Sequence, residues 1–162
     1  MIIIKSILSF IFLVTIGLTV AAQDKSPEEV KKMVTSQNFI FIPERVNPMT
    51  GTSRPLSPGF EMSVSADTII SYLPYFGRAY APVYPGEGGI QFTSTDFQYK
   101  TTKAGDKWKI RLRFKDVTDV NQMHLDVFDN GTATLSINSN RRQSITYYGY
   151  VKEGKPVSLK AF

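Results

Sequence analysis

Apolar and polar positions along the chain fall into three successive regimes. The first is a nearly continuous apolar run from Ile7 to Val20, preceded by Met1, Ile2, Ile3, Ile4 and Lys5 and followed by Ala21, Ala22 and Gln23. A charged start, an apolar middle and a small-residue end form the pattern of a secretory signal peptide, and Val20 and Ala22 occupy the two positions a signal peptidase reads. Cleavage is expected after Ala22. A retained membrane anchor is the alternative, because Ile2 to Ala22 approaches the roughly 20 apolar residues that a span requires.

The second regime is short and has a helical period. Ser26 is suited to cap the first turn, Pro27 presets the first helical φ, and Glu29 completes a capping box at the positive end of the helix. Lys31 and Lys32 lie toward the other end, and Val30, Met33 and Val34 form an apolar stripe. The spacing predicts a helix over Pro27 to Ser36.

From Asn38 the pattern alternates, with Gly, Pro, Asn and Asp between the alternating stretches. Phe39 and Phe41 open the first strand, and Phe60 to Val64 and Thr68 to Leu73 continue the series. Ile90 to Phe92, Phe97 to Thr101, Lys107 to Lys115, Met123 to Phe128, Thr132 to Asn138 and Ser144 to Val151 complete it. Ala104-Gly105 and Asp129-Asn130-Gly131 read as hairpin turns, since glycine tolerates the positive φ such turns demand. Asn47 to Pro58, with three prolines, reads as an exposed loop.

Roughly eight or nine such strands leave exposed sheet edges unless the sheet curls. The expected fold is mainly β, an antiparallel meander closed into a barrel-like or sandwich-like fold with one short N-terminal helix on a face or end. Residues 1–22 are read as signal peptide and 23–162 as a single β-rich domain, a length at which one core suffices without cross-links.

Composition then narrows the chemistry. The chain carries 19 Lys+Arg against 14 Asp+Glu, a net charge of +5, with no Cys and one His. There is no thiol nucleophile, no cysteine cluster and no pair of histidines for zinc, so no metal or cofactor is implied. The absence of cysteine also removes lipid attachment at the signal. Loss of Lys5 with the signal lowers the net charge by one, well short of the clustered basic footprint of a nucleic-acid binder. Export would place the protein in the periplasm or outside the cell, with nucleic acid excluded and no membrane span left after cleavage.

The most unusual stretch runs from Tyr72 to Ile90 and holds five aromatics, three prolines and four glycines in nineteen residues. That composition is unsuited to regular sheet or helix. Tyr72, Tyr75, Phe76, Tyr80 and Tyr84 offer apolar faces and, for the tyrosines, polar tips, which suit a wet binding groove. Arg78 and Glu87 are the polar groups that would orient a glycan, a peptide or another apolar-faced ligand there. The other reading is an ordered loop that folds its own aromatics over the open end of the sheet.

Tyr72-Leu73-Pro74-Tyr75-Phe76-Gly77-Arg78-Ala79-Tyr80, the later Gly88-Gly89-Ile90-Gln91-Phe92, the Trp108 strand and the Gly131 turn together resemble the bacterial family catalogued as domain of unknown function 4251. The resemblance covers most of the chain after residue 22. It implies an exported small domain of the Bacteroidetes, bearing a signal peptide, and brings no activity or catalytic residues.

Strict alternation over Lys107 to Lys115 puts Lys107, Lys109, Arg111, Arg113 and Lys115 on one face, and Trp108, Ile110, Leu112 and Phe114 on the other. The cations form a ridge for lipid headgroups, an acidic glycan or a protein, or else a solvated face balanced by Asp96 and Asp126 on neighbouring strands. His124 and Asp126 share a face, and with Ser136 or Ser144 they sketch a hydrolase triad, though no nucleophile-elbow glycines surround either serine. Tyr147 is expected inside with Ile145 and Val151, and Tyr148 and Tyr150 outside. The leading expectation is a non-catalytic exported domain binding a ligand at the aromatic stretch. The alternative is a cell-envelope scaffold or protein-interaction module using the basic strand, with a small hydrolase behind both.

Overall fold

The fold was read from a computed structural model that describes residues 25–80 and 88–154. The expected signal peptide lies outside the described residues. Helix α1 spans Pro27–Thr35, and both halves of its capping box are made: the Glu29 N–H donates to Ser26 Oγ, and the Ser26 N–H donates to Glu29 Oε2 at 2.9 Å. Val30, Met33 and Val34 are buried, as the stripe predicts. No helix among the described residues is long and apolar enough to cross a membrane.

Ten strands follow among the described residues: β1 (Phe39–Pro48), β2 (Arg54–Pro55), β3 (Glu61–Val64), β4 (Ile69–Pro74), β5 (Gly89–Ser94), β6 (Phe97–Ala104), β7 (Lys107–Phe114), β8 (Val120–Phe128), β9 (Thr132–Ser139) and β10 (Ile145–Glu153). All pairings are antiparallel, in the order β5-β4-β3-β1-β10-β9-β8-β7-β6, with β2 on β1. The stretch expected as a loop from Asn47 to Pro58 is partly strand. Asn47 and Pro48 finish β1, and Arg54 pairs back on Val46. Proline-rich β2 escapes periodicity because it is too short to show any.

The two strands at the sheet edges, β5 and β6, are consecutive in the chain with only Thr95 and Asp96 between them. A flat sheet cannot satisfy that connection, so the sheet curls until its edges meet at one corner, and the fold is a nearly closed antiparallel barrel. Asp116 staples the corner: Ser94 Oγ donates to Oδ1 at 2.5 Å, and the Thr95 and Asp96 N–H groups donate to Oδ2 at 2.8 and 3.1 Å. Phe92 of β5 meets Phe114 of β7 edge to face at 5.0 Å. Helix α1 covers part of the seam, its Val34 carbonyl accepting from the Tyr99 hydroxyl of β6 at 2.9 Å. Barrels hide sheet edges, which otherwise template aggregation.

Alternation places Ile110, Leu112, Phe114, Met123, Leu125, Val127, Leu135, Ile137, Ile145, Tyr147 and Val151 in the core. Gly105 and Gly131 adopt φ of +64° and +88° in the hairpins predicted for them. At the second turn Asn130 Oδ1 accepts from the Thr132 N–H and hydroxyl, so the side chain is absorbed in turn geometry.

Candidate functional site

On strand β4, Ile69, Ser71 and Leu73 point inward, leaving Ile70 and Tyr72 on the outer face. Tyr72 stacks on Phe60 with ring centroids 5.6 Å apart, and Arg54 of β2 lies 5.5 Å from the centre of the Phe76 ring. Tyr72, Phe76 and Tyr80 are 48%, 42% and 69% exposed, so they escape the core despite their size. Arg78 is also exposed. Tyr84 and Glu87 lie outside the described residues. Phe60 and Arg54 join this surface through the folding of β2 and β3, and no local sequence signal announces them.

Tyr75 behaves differently. It is half-buried, its hydroxyl 2.9 Å from the Gln143 carbonyl and 3.0 Å from that of Arg78. The chain then runs antiparallel to the β9–β10 turn: the Tyr80 N–H donates to the Arg141 carbonyl at 2.8 Å, and the Gln143 N–H to Arg78 at 3.0 Å. Arg142, 8% exposed, sits 5.2 Å from the centre of the Tyr75 ring, pairs with Asp119 Oδ2 at 2.9 Å and donates to the Gly89 carbonyl at 2.9 Å. Burial pushes the Tyr75 hydroxyl pKa upward, with the neighbouring Arg142 opposing. The aromatic stretch is therefore divided: Tyr75 ties down one end of the barrel, while Tyr72, Phe76 and Tyr80 face outward. Arg142 gives no sign of this role in the sequence, where it is one of two adjacent arginines in a turn.

The other candidates converge on one continuous outer face. Register aligns Arg111 with His124 and His124 with Ser136, and the next row aligns Lys109, Asp126, Thr134 and Tyr148. The triad sketch does not assemble there. Asp126 is bound by Lys107 Nζ at 2.6 Å, His124 contacts the Gln122 side chain, and Ser136 Oγ is shared with Thr146 Oγ1 at 3.3 Å. Ser144 is engaged with Asn138 Oδ1 at 3.0 Å. No group of three or more His, Asp or Glu among the described residues is placed to hold a metal ion.

At the end of this face lies a groove of about 450 Å³ lined by Glu44, Arg45, Phe128, Thr132, Ala133, Thr134, Tyr148 and Gly149. A bulge creates it. The register of β1 on β10 shifts between Pro43 and Arg45, leaving Glu44 and Arg45 both exposed and moving the inward set from Phe39 and Phe41 to Val46. Gly149 permits the approach, since a Cβ there would lie 1.9 Å from the Ile42 carbonyl oxygen. A glycine inside a strand is the sequence signal for such a feature.

A family description for a domain of unknown function (DUF4251) matches residues 21–151. The chain is also similar in fold to a crystal structure of a DUF4251 family protein from Bacteroides eggerthii DSM 20697, with a TM-score of 0.59 at 18% identity, covering 82% of this chain and 91% of that one. No curated protein matches the chain.

Proposed function

Because the chain belongs to the DUF4251 family, whose description assigns no activity, we propose from its surface that it is an exported, non-catalytic binding domain. Its ligand, a glycan or peptide with a flat apolar face, lies across Tyr72, Phe76, Arg78 and Tyr80. One observation carries this reading. Among the described residues seven large hydrophobic side chains stay exposed, and four of them, Ile70, Tyr72, Phe76 and Tyr80, lie on β4 or the segment leaving it. Exposed apolar surface gathered in this way marks interaction sites more often than chance. The stacked Phe60 and Tyr72 rings offer a flat platform, and Arg54, Glu61 and Gln91 supply polar groups around it.

Native mass spectrometry of protein recovered after expression with its own N-terminal segment tests the reading and reports whether residues 1–22 are removed. A co-purified species, or binding on a glycan and peptide array, is expected to disappear in Tyr72→Ala and Phe76→Ala. Binding that survives both substitutions overturns the assignment of the site. Export fails if the mass retains residues 1–22.

A further inference from the structure

We propose a second binding site, for an acidic polysaccharide, on the outer face of β6 and β7. Lys100 and Arg111 are direct cross-strand partners on that face, with Thr102 opposite Lys109 and Gln98 opposite Arg113. Like charges placed directly opposite destabilise a sheet pair.

The acids that would balance them are committed elsewhere. Lys107 takes Asp126, Lys115 takes Asp96 at 3.4 Å, and Lys103 takes Asp129. The first two pairs lie toward the ends of the ridge, whereas Lys103, the register partner of Trp108, lies on the other face of β6. In the middle of the ridge Lys100 and Arg111 are exposed and, among the described residues, form no ion pair, while Lys109 stands opposite Asp126, which Lys107 binds, and Arg113 Nε donates to the neutral Gln122 at 3.2 Å. The balance by Asp96 and Asp126 that the sequence allows is thus found around Lys115, Lys107 and Lys109, and not at the Lys100–Arg111 pair. The centre retains a repulsion that an anion would relieve.

The occupant follows from the shape and neighbours of the ridge. Alternate residues of a strand advance about 6.6 Å, and the adjacent strand lies about 4.8 Å away, so the cations form a narrow open track matched to a chain of repeated charges. Gln98, Thr102 and Gln122 line the track with amide and hydroxyl groups that pair with sugar hydroxyls. A membrane surface is the poorer fit, because the large exposed hydrophobics lie on other strands and β6 and β7 offer none to insert.

The test uses the full chain with polygalacturonate as the acidic probe, dextran as the neutral one and phosphatidylglycerol vesicles as the membrane one. Polygalacturonate is expected to bind at low salt and to be released as salt screens the exposed charges. Lys100→Gln/Arg111→Gln should weaken binding about tenfold, whereas Tyr72→Ala, which reads the aromatic surface, should leave it unchanged. The double variant should melt no lower than the parent chain. Absence of polygalacturonate binding at low salt, binding indifferent to the double substitution, dextran bound equally well, or vesicles bound in place of the polysaccharide would each overturn the proposal.

Discussion

The guanidinium of Arg142 lies 5.2 Å from the centre of the Tyr75 ring, and the hydroxyl of that ring is 2.9 Å from the carbonyl of Gln143, the residue after Arg142. Arg142 thereby joins the β9–β10 turn, the segment leaving β4, the start of β5 through Gly89, and Asp119 before β8. The planar fork of N–H donors, with Nε toward Asp119 and Nη1 toward Gly89, makes such a junction possible for arginine and not for lysine. Arg142→Ala leaves Asp119 with the Ser139 hydroxyl but without its cation and is expected to cost about 3 kcal/mol, with Arg142→Lys recovering only part. Urea denaturation of the three proteins at neutral pH reads the difference, and an unchanged midpoint for Arg142→Ala would show that the junction contributes nothing.

The two kinds of tyrosine in the aromatic stretch should separate in the same measurement. Tyr75→Ala removes a packed ring and two hydrogen-bond contacts, and a loss of about 2 kcal/mol is expected. Tyr72→Ala removes an exposed ring and is expected to stay within about 0.5 kcal/mol of the parent chain. Equal losses would mean that Tyr72 is structural as well.

Asp116 predicts how stability responds to acid. Hydrogen bonds from Ser94, Thr95 and Asp96 hold its carboxyl down from 3.8 to about 2. A carboxyl whose folded pKa is depressed contributes fully above its unfolded pKa and loses that contribution as pH falls through the folded value. The corner between β5 and β6 should therefore weaken from about pH 4 toward pH 2. Asp116→Asn is expected to be less stable at neutral pH and to change less than the parent chain across that interval. Parallel curves of denaturation midpoint against pH would refute this.

Gly149→Ala tests the bulge. The added Cβ would overlap the Ile42 carbonyl oxygen, which belongs to backbone and cannot swing aside. Forced separation of β1 from β10 is expected to cost about 3 kcal/mol, seen as a lower melting temperature. Hydrogen exchange should increase first at Tyr148, Gly149 and Tyr150.

Which side of each strand faces the core was legible before any coordinates. Lys107 to Phe114 alternates without a break, and Ile145, Tyr147 and Val151 turn inward as their spacing requires. Capping at Ser26 and the turns at Gly105 and Gly131 were legible for the same reason, since their chemistry is contained within a few residues. The aromatic stretch could be located but not divided. Whether a tyrosine there is covered depends on Arg142 and Gln143, far along the chain, and nothing in the local pattern points to them.

Local order, then, was determined by the sequence itself: periodicity sets helix or strand, and side-chain parity sets inside or outside, because both follow from backbone geometry over a few residues. Only the tertiary structure decided who stands next to whom. Pairing of Phe39 with Glu153, the corner that brings β5 to β6, and the placing of Lys100 directly opposite Arg111 all depend on strand order and register. Those are settled by closing the barrel around one core, a condition imposed on the whole sheet at once and written in no single segment.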